Sequence, residues 1–108
     1  MNNICVFMPR GRLDATSAPL LRERLTAGDT IDGRIVLDFS SVDFMDSSGL
    51  GTLVASARRL RAQQGDLKLA CLADKVRRVF ELTRADRLFD IYDDPEAAVS
   101  SFAPEKSA

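Results

Sequence analysis

Short apolar runs alternate along this chain with segments of helical periodicity, and that alternation constrains the fold more than any other feature. Ile4 to Met8 is apolar and stops at Pro9, which predicts a short strand. Gly11 turns the chain, and a helix is expected from Thr16 or Ser17, with Pro19 in its first turn and Leu21 and Leu25 one turn apart. A turn-rich loop, Gly28 to Gly33, leads to "RIVLDF" (Arg34 to Phe39), which is too short for a helix and reads as a strand buried on both faces. Leu50, Leu53, Val54, Ala57 and Leu60 then mark one helical stripe, with Arg58, Arg59 and Arg61 largely off it and Gly65 at the expected stop. "LKLACL" (Leu67 to Leu72) predicts a strand. Asp74 is expected to cap a helix that buries Val76, Val79 and Phe80. "RLFDIY" (Arg87 to Tyr92) predicts the last strand, and Asp94-Pro95 opens a final helix through Val99.

The order β-α-β-α-β-α-β-α implies an α/β domain with a mixed, mostly parallel sheet of about four strands and about four helices. The chain has 108 residues, which suits one domain; it is expected over 1–102, with 103–108 as a polar, frayed tail. Fifteen basic and 16 acidic residues nearly cancel, so no net basic field recruits nucleic acid or anionic lipid. The start, Met1-Asn2-Asn3-Ile4-Cys5, lacks the basic head of a signal peptide, and no apolar run approaches the roughly 20 residues needed to span a bilayer. Cys5 and Cys71 are too few for a disulfide framework and read as buried thiols. A cytoplasmic protein is the expectation.

The stretch that asks for an explanation is "FMDSSGLG", Phe44 to Gly51. A serine nucleophile needs a base, and the chain has no histidine, no Ser-x-x-Lys and no Gly-x-Ser-x-Gly elbow. No catalytic residue and no metal-ligand spacing stand out. Gly49-Leu50-Gly51 begins a glycine-rich phosphate loop but does not complete one, because Val54 replaces the third glycine and no Gly-Lys-Ser follows. A helix N-terminus there could still hold an anion through the amides of Ser48 and Gly49. A plain helix cap accounts for one of Asp46, Ser47 and Ser48. A phosphorylation switch accounts for more, since a phosphoryl group at a helix mouth is tolerated by the fold yet repels a docking partner. Cap and switch both stay open on these grounds.

"IVLDFSSVDFMDSSGLGTLVASARRL" (Ile35 to Leu60) closely resembles the signature of the STAS-domain anti-sigma factor antagonists, the anti-anti-sigma factors. The likeness extends back to "GRLDATSAPLLRERL" (Gly11 to Leu25) and forward to "KVRRVFELTRADRLFDIY" (Lys75 to Tyr92). The resemblance implies a STAS domain that is not an enzyme and needs no cofactor. It implies that Ser47 is phosphorylated by a partner that is both anti-sigma factor and serine kinase of the ATPase-kinase fold. The unphosphorylated form binds that partner and frees a sigma factor, and a PP2C-type phosphatase restores it. Asp14 matches the family aspartate near the phosphosite, and some members have been linked to nucleotides. The expected docking rim is Asp14, Thr16, Met45, Asp46, Ser47, Ser48 and Leu50. Two alternatives belong to the same family: a subunit that steadies the ATPase of a transport complex, and a small-ligand or nucleotide sensor.

Two departures stand out. Only ten residues precede Gly11, so the family's first strand is expected to be missing or very short. The exposed edge then invites a homodimer along Ile4 to Met8. Arg84-Ala85-Asp86 stands where relatives often carry a glycine to end the helix.

Overall fold

The computed structural model describes residues 4–26 and 33–102; the tail 103–108 and most of the Gly28–Gly33 loop lie outside them. Among the described residues, six strands and four α-helices follow in the order β1 (Ile4–Phe7), β2 (Gly11–Leu13), α1 (Ala18–Thr26), β3 (Arg34–Asp38), β4 (Val42–Met45), α2 (Ser47–Ala62), β5 (Asp66–Ala70), α3 (Asp74–Leu82), β6 (Ile91–Tyr92) and α4 (Pro95–Ser101). The main sheet runs β1-β3-β5-β6 with every pairing parallel. Helical crossovers make that direction the natural one, so the four expected strands meet in one parallel sheet.

The two sheet faces are unequal. Ile35, Leu37, Leu67 and Leu69 face α1, α2 and α3, joining Leu21, Leu25, Leu53, Ala57, Leu60, Val76 and Phe80 in the main core. Val36 and Ala70 face α4, whose Ala98 and Phe102 close a smaller cluster. Lys68 is buried on that same face; its ammonium lies 3.3 Å from Asp90 Oδ2 and 4.7 Å from the Phe102 ring centre, so the charge is paired rather than stranded.

Four local expectations are corrected. Gly11–Leu13 and Val42–Met45 are strands, paired in parallel as a separate two-stranded sheet. They are too short and too mixed in polarity to show a period of two. The last strand shrinks to Ile91–Tyr92, because Ala85–Arg87 forms a 3₁₀ turn and Phe89 folds edge-on against Phe80, ring centres 5.7 Å apart. Asp74 is the first residue of α3, and Ala73 before it makes no side-chain cap bond. Cys5 and Cys71 are half-buried free thiols. Cys71 adopts φ 64°, and burial together with nearby Asp38 pushes its thiol pKa up.

Helix ends also differ from expectation. After Ala62, the left-handed position is Gln64 (φ 71°), with Gln64 N–H bonded to Arg61 O and Gly65 N–H to Leu60 O. Gly65 is required for another reason: a Cβ there would lie 2.2 Å from the Gly33 carbonyl oxygen. At the end of α3, Arg84 itself takes the left-handed conformation (φ 61°), inside the Arg84-Ala85-Asp86 stretch expected above to depart from the family.

Candidate functional site

The small sheet positions the site. β2 and β4 run parallel, so each delivers its following segment to the same end of the molecule. Asp46 follows β4, and its amide donates to Leu13 O at the end of β2 (3.1 Å). The Asp46 side chain then caps α2 by accepting from the amides of Ser48 (2.9 Å) and Gly49 (3.2 Å). Gly49 has no room for a side chain, since an added Cβ would sit 2.4 Å from that same Leu13 oxygen. Backbone contact therefore locks the start of α2 against the β2–α1 turn.

Asp14 is the second anchor. Its Oδ1 accepts from the amides of Thr16 (3.1 Å) and Ser17 (3.2 Å) and from the Thr16 hydroxyl, so it organises the entry to α1. The Ser17 hydroxyl does not cap α1: it donates to Arg12 O at 2.6 Å and accepts from Asp14 N–H. The Thr16 hydroxyl above all holds the Asp14 carboxyl down at a pKa of about 2. Arg12 reaches Asp14 Oδ2 at 3.5 Å while its guanidinium stacks over the Phe44 ring at 4.1 Å.

Ser47 is the first residue of α2, exposed, and its hydroxyl makes no hydrogen bond to the described residues. Ser48 is exposed as well, although its amide is engaged by Asp46 and its carbonyl by the Thr52 hydroxyl. Asp14 and Thr16 at the entry to α1, and Asp46, Ser47 and Ser48 at the start of α2, thus lie at neighbouring helix mouths. Met45 and Leu50, 3% and 8% exposed, point into the core beneath it and form no part of the surface. The amides expected to hold an anion, those of Ser48 and Gly49, are already filled by the Asp46 carboxylate.

Sequence reasoning missed the groove that opens beside Ser47. α1 and α2 lie side by side, and Arg59 Nη2 donates to Leu25 O at their far end (3.2 Å). Between them runs a groove of about 890 Å³ lined by small residues and by Arg22, Glu23 and Arg59. Gly51, a second glycine inside a strong helix pattern, was the available signal. Among the described residues no three potential metal ligands converge, and no helix is long and apolar enough to cross a membrane.

The family model for the STAS domain matches residues 1–98. The anti-sigma-B factor antagonist of Bacillus subtilis is 38% identical over 91 residues, covering 82% of each chain. That of Listeria monocytogenes is 35% identical over 91 residues, covering 83% of this chain and 79% of the relative. An anti-sigma factor antagonist from Mycobacterium paratuberculosis superposes with a TM-score of 0.81 at 26% identity, over 94% of this chain and 86% of that one. With the helix mouth, its capping aspartate and the matched length together, the chain belongs to the STAS-domain family.

Proposed function

We propose that this protein is an anti-sigma factor antagonist of the cytoplasm, a binding module switched by phosphorylation of Ser47. The carrying observation is an exposed Ser47 hydroxyl, unbonded among the described residues, at the first position of a 16-residue helix, directly after the capping Asp46. The antagonist relatives favour this reading over a transporter subunit or a ligand sensor. The partner is an anti-sigma factor that is also a serine kinase of the ATPase-kinase fold. It transfers the γ-phosphoryl group of ATP to Ser47 Oγ, its own base takes the hydroxyl proton, and ADP leaves. A PP2C-type phosphatase hydrolyses the ester and returns the free hydroxyl.

The switch is electrostatic. Phosphate adds about −1.5 to −2 charges. It does so beside Asp46 and near Asp14, whose low pKa keeps it ionised over the whole working range. Asp46 already occupies the Ser48 and Gly49 amides, so those donors are not free to neutralise the new dianion. A partner resting on Asp14, Thr16, Asp46, Ser47 and Ser48 must desolvate that charge. Each 1.4 kcal/mol this costs is about a factor of ten in affinity.

The test is Ser47→Asp against the purified kinase, read by calorimetry and by a melting curve. Acidic groups suit a first helical turn, so stability is expected to change by less than about 1 kcal/mol while partner binding is lost. Peptide mapping after incubation with kinase and ATP is expected to place the phosphate on Ser47. Phosphate mainly on Ser48, Ser40 or Ser41 removes the assignment.

A further inference from the structure

Two glycines stand in the first turns of α2, and the chain's own packing explains one of them. Gly49 is pressed against Leu13, whereas a Cβ added at Gly51 meets nothing within 4 Å. Gly51 has ordinary helical geometry, so no left-handed backbone calls for glycine either. Inside a helix, glycine is disfavoured relative to alanine by its backbone entropy. Among the described residues nothing fills the space that glycine leaves at 51, and that residue opens onto the α1–α2 groove beside Ser47.

A second observation lies along the same groove. Ser56, 1% exposed, lines it, and the Ser56 hydroxyl is buried without a hydrogen-bond partner among the described residues. A buried hydroxyl left unpaired is unfavourable in the isolated chain. Ala55 and the α1 residues Ala18 and Pro19 keep the space between the helices unfilled. The charged wall is net basic, Arg22 and Arg59 against Glu23. The Arg59 guanidinium donates to Leu25 O, and Arg22 lines the same groove as a second cation.

We propose that the α1–α2 groove seats a segment of the anti-sigma partner: an apolar side chain packs on the Gly51 Cα and Ala55, and a neighbouring carboxylate pairs with Arg22. This rests on the reading of the chain as an anti-sigma factor antagonist and adds a surface beyond the phosphosite. Continuity with Ser47 argues for that occupant, because a kinase that brings ATP to the Ser47 hydroxyl must cover the mouth of the groove. Glycine at 51 then has a purpose: it lets the partner approach the helix backbone, and the intrinsic helix stability it forgoes is recovered on binding.

The experiment uses Gly51→Ala, Gly51→Leu and Arg22→Glu. Each is titrated by calorimetry with whichever purified serine-kinase anti-sigma protein of the source organism binds the wild-type chain. Gly51→Ala is expected to raise Tm, since alanine is the better helix former, while weakening binding by about tenfold. Gly51→Leu is expected to weaken it by about a hundredfold, and Arg22→Glu by about tenfold. Amide shifts in the wild-type chain should move at Gly51 and Ala55 when the partner is added. Wild-type affinity in folded Gly51→Leu, with binding lost in Ser47→Asp, overturns the groove and leaves the phosphosite standing. Groove shifts that depend on protein concentration without partner assign it to a second copy and overturn the proposal. If no such kinase binds the wild-type chain, the groove and the antagonist reading fall together.

Discussion

Asp14 and Asp46 do the same job at neighbouring helix mouths, each spending its carboxylate on amides that a helix start leaves unpaired. The consequence for Asp14 is a pH dependence with a definite sign. Its folded pKa of about 2 lies below the ordinary 3.8. Its stabilisation is therefore complete above pH 3.8 and is lost as pH falls toward 2. Asp14→Asn is expected to be less stable than wild type at neutral pH, with the gap closing across that acidic window. Melting curves at stepped pH for the two proteins check it, and a gap that stays constant down to pH 2 refutes it. Asp46, Ser47 and Ser48 were readable as a helix mouth because cap chemistry is local. The burial of Met45 was not, because the side of the chain it faces is set by where β2 lies; Leu50 already stood on the apolar stripe of α2.

At the level of elements, α2 was the most legible, since its stripe from Leu50 to Leu60 repeats over about three turns and its cap precedes it directly. The end of α3 was the least, because the departure at Arg84 gave no sign of which residue would turn left-handed. Arg84 is held at φ 61°, a region that costs a residue with a Cβ about 1–2 kcal/mol. Arg84→Gly removes that strain but loosens the unfolded chain, so a net gain of about 1 kcal/mol is expected. For a domain of this size that is a rise of several degrees in Tm, measurable by calorimetry. An unchanged or lower Tm would show that the Arg84 side chain contributes more than its backbone conformation costs.

At the scale of the whole molecule, the sheet has unlike edges. β6 pairs through two residues and is followed at once by α4, whereas the outer side of β1 carries no partner among the described residues. Val6 and Met8 are 50% and 42% exposed beside it. An apolar edge of this kind recruits a further strand. We propose that a second copy pairs there, giving a two-fold homodimer. Light scattering over a range of concentrations is expected to show dimer formation, and Val6→Lys is expected to abolish it while the monomer stays folded. A monomer at every concentration, with slow amide exchange through Ile4 to Phe7, would mean the edge is covered from within the chain.

The sequence by itself determined the α/β alternation, the parallel sense of the sheet and the helix mouth at Asp46, because strand and helix periods, crossovers and caps are written within a few neighbouring residues. Tertiary structure alone decided the pairing of β2 with β4, which no period announces in three- and four-residue strands. It decided that Met45 is core, that Gly49 packs against the Leu13 carbonyl, and that Gly51 faces open space among the described residues. The groove beside Ser47 belongs to that second group, since it exists only where two helices distant in sequence lie side by side with small residues between them. Local chemistry sets which elements form; the spaces left between them depend on contacts far apart in the chain.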